Sequence, residues 1–243
     1  MSFLKQYFQR SATAIKENAV KVYNADFMNR QTEFTVASVN SKQDLTRWVK
    51  GSDRDIGGFS DVWLDTTQAG HARFHGYISQ KLPADKRFKR SGYAMVRTRD
   101  PQSNILGDGT WDSSLYRYLA IRVRADKRKY FVNLKSGSLI HTDIYQHLLP
   151  IRTPGRWETV VIPFNMFTLT SNGVIVASQP SMASTSMETV GFSISEKREG
   201  PFCLEFAWIK AFNSDRTFGE AIRLPYTAKL TWKTDFARMD KNN

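Results

Sequence analysis

The chain has 243 residues, 41% of them hydrophobic, with 35 Lys and Arg against 23 Asp and Glu and a formal net charge of +12. That length allows a core built without staples, and the single cysteine, Cys203, excludes an internal disulfide and suits a reducing compartment. No apolar run approaches the roughly 18 residues a helical membrane span needs, and the cationic excess favours attraction to an anionic surface.

Residues Met1 to Val20 read as a cationic amphipathic helix. Leu4, Phe8, Ser11 and Ile15 form one stripe, broadened by Phe3, Tyr7 and Ala14, with Lys5, Arg10 and Lys16 elsewhere. Three roles fit: a mitochondrial presequence, a helix lying on a membrane or a partner, or a plain cap on the domain that follows. From Thr32 the period changes to two, with Phe34, Val36 and, by the same alternation, Ser38 on one face. Ser41 then caps a short helical turn carrying Leu45 and Trp48. Asp53, Asp55 and Gly58 imitate the start of a calcium loop, but Leu64 stands at the twelfth position, where a bidentate glutamate is needed. Gly57 and Gly58 instead permit a sharp course into a strand from Phe59 to Asp65.

Ala72, Phe74, Gly76 and Ile78 alternate with Arg73, His75, Tyr77 and Ser79. On such a strand His71 and His75 stand about 13 Å apart, too far for one metal ion. A basic loop follows, with Lys86, Arg87, Lys89 and Arg90, then a strand from Tyr93 to Arg99 and a turn-rich connection through Pro101, Gly107, Gly109 and Trp111. Tyr118 to Arg124 and Lys129 to Lys135 read as a hairpin, with Leu119, Ile121, Val123, Tyr130, Val132 and Leu134 on the apolar side. Its other face collects Arg122, Arg124, Asn133 and Lys135.

His141 to Thr153 reads as irregular, with His141 and His147 as loop polar groups. Trp157 to Ile162 forms a strand stopped by Pro163, Phe164 to Phe167 a turn, and Thr168 to Met187 a surface loop. Two alternating runs close the domain: Val190, Phe192 and Ile194 in the first, and Phe202, Leu204, Phe206 and Trp208 in the second. The polar link Glu196 to Pro201 makes them a second hairpin, whose apolar face calls for a covering sheet. If both hairpins share a sheet, Ser193, Ser195 and Glu205 join the polar face, which is then either a binding surface or a set of ion pairs such as Glu205 with an arginine. The expected organisation is an N-terminal helix and linker over 1–31, a β-sandwich over 32–212 and an extension over 213–243.

The basic excess sits in two stretches, Lys81 to Arg99 and Arg117 to Lys135, either as an anion-attracting surface or as solvated edges that discourage strand pairing. No glycine-rich phosphate loop, nucleophile elbow, HExxH or CxxC occurs. Asp61, Asp65 and Glu205 lie on strands of unknown separation, so a carboxylate pair stays open. No metal or cofactor is expected.

Five stretches carry a resemblance: SDRDIGGFSDVWL (Ser52 to Leu64), RSGYAMVRT (Arg90 to Thr98), RYLAIRVRADKRKYFVNL (Arg117 to Leu134), WETVVIPFNMF (Trp157 to Phe167) and VGFSISEKREGPFCLEFAWIKAF (Val190 to Phe212). In this order they resemble the complex I intermediate-associated protein 30 family over roughly Phe34 to Phe212. About ten short strands indicate an all-β sandwich, and the resemblance implies a galactose-binding-domain-like jelly roll. It also implies a non-catalytic, chaperone-like factor in the mitochondrial matrix, peripheral to the inner membrane. The implied partners are membrane-arm subunits of complex I and other complex I assembly factors.

From charge and amphipathicity, the expected contact residues are Phe3, Leu4, Tyr7 and Phe8 on the helix and Lys86, Arg87, Lys89 and Arg90 on the basic loop. They would face an acidic partner or the anionic inner-membrane surface. No nucleic acid is expected, since no recognition helix or stacking motif accompanies the charge. The rival is a carbohydrate-binding module, which calls for Trp63, Trp111 or Tyr77 lining an open groove with Glu205 and Asn133.

Overall fold

Fourteen strands alternate with short 3-10 turns in the computed structural model, which describes residues 33–85, 87–88, 91–100, 111–137, 142–182 and 186–213. The expected N-terminal helix with Phe3, Leu4, Tyr7 and Phe8, the loop residues Lys86, Lys89 and Arg90, His141 and the C-terminal extension lie outside the described residues.

The strands are β1 Glu33–Ser38, β2 Trp48–Ser52, β3 Asp61–Thr66, β4 Ala72–Ile78, β5 Ala94–Thr98, β6 Trp111–Asp112, β7 Tyr118–Ala125, β8 Phe131–Ser136, β9 Asp143–Leu148, β10 Glu158–Pro163, β11 Thr168–Ser171, β12 Val174–Ile175, β13 Ser186–Ile194 and β14 Gly200–Phe212. The first sheet runs β10-β7-β14-β4-β3, with β1 also on β14; the second runs β12-β11-β9-β8-β13-β5-β2, with β6 on β13. Every strand pair is antiparallel. This is a jelly-roll-like β-sandwich.

Alternation fills the space between the sheets from both sides. Phe74, Phe202, Leu204 and Phe206 from the first sheet meet Val96, Val132, Val190, Phe192 and Trp48 from the second, all buried. Tilted ring pairs, Phe192–Phe206 at 4.9 Å and Trp48–Phe206 at 4.8 Å, join the two sheets, in the offset geometry that aromatic quadrupoles favour. β14 is the backbone of the first sheet: β7 pairs along one edge, while β4 and then β1 share the other. Ser41 caps the expected turn, a 3-10 helix over Lys42–Arg47 closed by Asp44 in a capping box, whereas Trp48 starts β2.

Both expected hairpins are corrected. β7 lies in the first sheet and β8 in the second; β13 lies in the second and β14 in the first. Each pair is joined by a five-residue arch, 126–130 and 195–199, that crosses between the layers. Packed sheets are about 10 Å apart, within reach of such a link. Alternating strands in one hairpin and alternating strands facing each other across a core carry the same sequence pattern.

Two bulges correct the phase of individual residues. The register between β14 and β7 shifts between Phe206 and Trp208, so Ile209 and Ala211 are buried and half-buried Trp208 turns outward beneath Lys210. A shift between Thr35 and Ala37 in β1 likewise leaves Ser38 exposed while Phe34, Val36 and Ala37 pack on the core.

Two stretches read as irregular contain strands. β9 occupies part of the His141 to Thr153 stretch, and β11 and β12 part of the expected surface loop. The latter form a hairpin around Asn172 and Gly173, whose φ values of 50° and 76° are the paired left-handed conformations of a type I′ turn. The edge strand β3 is shielded, since Lys50 Nζ donates to the Val62 carbonyl (3.0 Å) and Arg54 Nε to the Ser60 carbonyl (3.3 Å).

Candidate functional site

On the outer face of the first sheet, register places Asp65, Arg73, Glu205 and Arg124 in one row across β3, β4, β14 and β7. Opposite charges directly across a sheet attract, and here they pair. Arg73 Nε and Nη2 donate to the two Asp65 oxygens at 2.8 and 3.0 Å, in the fork geometry that suits guanidinium and carboxylate. Arg124 Nε donates to Glu205 Oε2 at 2.8 Å. Asp61 pairs with Arg54.

All three carboxylates left open by the sequence are therefore held by arginines. Trp157 closes the row, with the Arg124 and Arg122 guanidiniums 5.5 and 5.9 Å from its ring and His71 edge-on at 4.9 Å. One row along, Trp63 stacks beside His75 at 5.8 Å, and Tyr77 follows on the same face. Trp63 and Tyr77 remain 47% and 41% exposed.

The Arg73 hydrogen bond, assisted by His75, holds the Asp65 carboxyl below the usual carboxylate range. A depressed folded pKa adds stability above the unfolded pKa, near 4, and that stability is lost as pH falls through the folded value. Asp65→Asn removes the contribution, so below about pH 4 the wild-type melting temperature falls more steeply than the variant's. At neutral pH the difference is under about 1 kcal/mol, because solvent screens this half-exposed pair. Parallel slopes in melts recorded from neutral pH into acid would contradict the assignment.

Asn133 is not part of this face, which corrects the expected single polar surface. It lies on the outer side of the second sheet, because β8 and β7 belong to different layers. There Arg97, Gly191, Asn133 and Gln146 form a row across β5, β13, β8 and β9. A hydrogen-bond chain crosses it: Thr170 Oγ1 donates to Gln146 Oε1 (3.1 Å), Gln146 Nε2 to Asn133 Oδ1 (2.9 Å), and Asn133 Nδ2 to Ser193 Oγ (2.8 Å). Lys135 binds Glu188 at 2.9 Å. These groups largely satisfy one another.

The third feature is the end of the sandwich where the arches gather. Gly155 N donates to the Ala125 carbonyl at 2.7 Å, which brings the 149–157 loop against the arch 126–130. Arg128 binds the second arch, with Nε 2.7 Å from Glu196 Oε2. Lys127, Arg152, Arg156, Lys197 and Arg198 are exposed on these three loops. Two neighbouring carboxylates are engaged by local donors, while Glu199 of the second arch is exposed and accepts from the Tyr77 hydroxyl and the Gln80 amide. Asp126 accepts from the Arg128 and Cys203 amides and the Tyr130 hydroxyl. Glu158 accepts from the Arg152 and Thr153 amides. The connection from β4 to β5 leaves and rejoins the sandwich at this end, since Ile78 pairs with Gly200 and Ala94 with Ile194. Of the four basic-loop candidates only Arg87 is described; it is exposed and bound to Asp85 at 2.6 Å.

The sequence marks Lys127 within the basic stretch Arg117 to Lys135, but it does not show that this loop meets those carrying Arg152, Arg156, Lys197 and Arg198. Of the remaining titratable candidates, His75 and His147 find hydrogen-bond partners, whereas His71 Nδ1 is buried with none among the described residues. His75 Nε2 sits 3.0 Å from Asp65 Oδ2. Burial lowers the His147 pKa in β9 and raises that of Cys203, which keeps the thiol protonated and poorly nucleophilic. Among the described residues no group of three His, Cys, Asp or Glu side chains is placed to hold a metal ion.

A family model described as Complex I intermediate-associated protein 30 matches residues 37–206, nearly the whole sandwich. "Complex I intermediate-associated protein 30, mitochondrial" of Neurospora crassa is 39% identical over 183 residues, covering 65% of this chain and 66% of that protein. Its Drosophila melanogaster namesake is 33% identical over 171 residues, covering 68% and 58%. The chain thus spans a little under two thirds of the length of these relatives. Among solved structures, a family 11 carbohydrate-binding module of a Clostridium thermocellum cellulosomal cellulase superposes with a TM-score of 0.51 at 13% identity, covering 77% of this chain and 98% of the module. That likeness concerns the fold.

Proposed function

The chain belongs to the complex I intermediate-associated protein 30 family, and from that premise we propose that it is a mitochondrial, non-catalytic assembly factor for respiratory complex I. It acts as a chaperone-like binder in the matrix, at the inner membrane, covering a surface of the incomplete membrane arm until the permanent neighbour arrives. Other assembly factors are held beside it. The carrying observation is that the family match spans residues 37–206, from β1 into β14.

Site chemistry supports a binding role. The carboxylates of the first sheet's outer face are paired with arginines, and exposed Trp63 and Tyr77 stand beside them. Exposed Trp, Tyr and Arg are the residue types that anchor protein interfaces. A native-gel complexome profile of mitochondria expressing the tagged chain tests the proposal. The expected result is comigration with membrane-arm subunits and absence from the mature enzyme. A monomeric profile without such subunits would refute it.

Carbohydrate binding retains one favourable observation, the exposure of Trp63 and Tyr77 on the face that holds Glu205. Against it, Trp111 packs inward beside Phe34 and Phe164, and Asn133 lies on the other sheet. Saturable binding on a glycan array that is lost in Trp63→Ala would favour this second reading.

A further inference from the structure

We propose that the arch end of the sandwich, through Lys127, Arg152, Arg156, Lys197 and Arg198, is a docking surface for an anionic phospholipid bilayer. The inference stands on the placement of charge and goes beyond the assembly role. These five cations are exposed on three loops held together by the Gly155–Ala125 hydrogen bond and the Arg128–Glu196 ion pair. None of the five takes part in a side-chain ion pair with a described residue. Of the acids on or beside these loops, Asp126, Glu158 and Glu196 are committed to backbone amides, Tyr130 and Arg128, and the exposed Glu199 of the second arch accepts from the Tyr77 hydroxyl and the Gln80 amide, which leaves the five cations in excess.

A bilayer fits this surface better than an acidic protein does. Protein interfaces concentrate their energy on a buried aromatic or apolar anchor at the centre. Among the described residues the exposed large hydrophobic side chains are Phe59, Trp63, Tyr77, Leu82, Leu115 and Val174; none belongs to these three loops, and Tyr77, on β4, reaches them only through its hydroxyl on Glu199. A charged headgroup plane requires no anchor, only cations presented together within a Debye length of it. Each Lys or Arg near such a plane multiplies partitioning by roughly fivefold.

The test uses the full chain and sedimentation with phosphatidylcholine vesicles, with and without phosphatidylglycerol. Arg152→Glu with Arg156→Glu is compared with Lys42→Glu and Arg47→Glu, a charge-matched control. The control residues are exposed on the 3-10 turn before β2, beyond the opposite end of β5. The wild type is expected to bind the anionic vesicles alone and to be released by salt. The arch-end variant should lose at least about tenfold in partitioning, and the control less than about threefold. Circular dichroism melts verify that both variants fold. Equal losses in the two variants would attribute binding to net charge and overturn the proposal, as would unchanged binding in the arch-end variant. Wild-type binding to polyglutamate without binding to vesicles would overturn it in favour of an acidic protein. A complexome profile lacking complex I subunits leaves this result untouched, so the two failures are distinguishable.

Discussion

Asp53→Ala lowers the unfolding free energy by about 4 kcal/mol, because it strands three buried donors that one carboxyl group now satisfies. Asp53 is fully buried. Its Oδ1 accepts from the Ser60 amide (2.8 Å), and its Oδ2 accepts from the Ser60 hydroxyl (3.0 Å) and the Gly92 amide (2.6 Å). One carboxylate therefore ties the 3-10 turn after β2 to the entries of β3 and β5, which lie in different sheets. Ser60 extends the tie, since its hydroxyl oxygen also accepts from the Ser79 amide at the end of β4.

The adjacent Arg54 is turned to Asp61 and the Ser60 carbonyl and gives Asp53 no hydrogen bond. Asp53→Asn keeps the shape but in either amide orientation sets an NH2 against a backbone N–H, that of Ser60 or that of Gly92, and costs about 2 kcal/mol. Gly58 belongs to the same device, for a Cβ there would lie 2.4 Å from Asp53 Cγ. Urea denaturation of both variants measures the loss. A change within about 0.5 kcal/mol for Asp53→Ala, the range of an ordinary surface substitution, would refute this account.

Arg128→Met costs about 3–4 kcal/mol, the range for breaking a buried ion pair from one side. Arg128 is 8% exposed, and besides its ion pair with Glu196 its guanidinium donates to the Pro201 carbonyl (3.2 Å) and the Arg198 carbonyl (2.5 Å). Its removal leaves the Glu196 carboxylate without its counter-charge and two carbonyls without their donor at the place where two arches cross between the sheets. Arg128→Lys retains the charge but not the fork, so it recovers only part of the stability. The double variant Arg128→Met, Glu196→Gln should recover about 1 kcal/mol relative to Arg128→Met alone, since no uncompensated carboxylate remains. Strict additivity in this cycle would mean that the two side chains are not coupled.

Particular elements show how far the sequence could be read. The alternation in Ala72 to Ile78 and in Phe202 to Phe206 identified the inward residues correctly, because a strand with one buried face repeats every two residues. The Asn172-Gly173 pair signalled a hairpin that a reading weighted toward hydrophobicity passed over, and β9 was overlooked because polar Gln146 and His147 mask its alternation. Candidate-site legibility was lower. The pairing of Glu205 with an arginine was among the expectations, yet Arg124 as partner required the β14–β7 register.

The sequence by itself determined the β class, most of the core and the family, because side-chain periodicity and spaced motifs are local properties of the chain. Only the tertiary structure decided which sheet each strand joins, where the bulges turn Trp208 outward, and which cations meet at one end. A five-residue arch and a hairpin turn carry the same local pattern, and long-range pairing with β4, β5, β9 and β10 distinguishes them. Residues as distant as Lys127 and Arg198 become neighbours only when Arg128 and Gly155 lock their loops together.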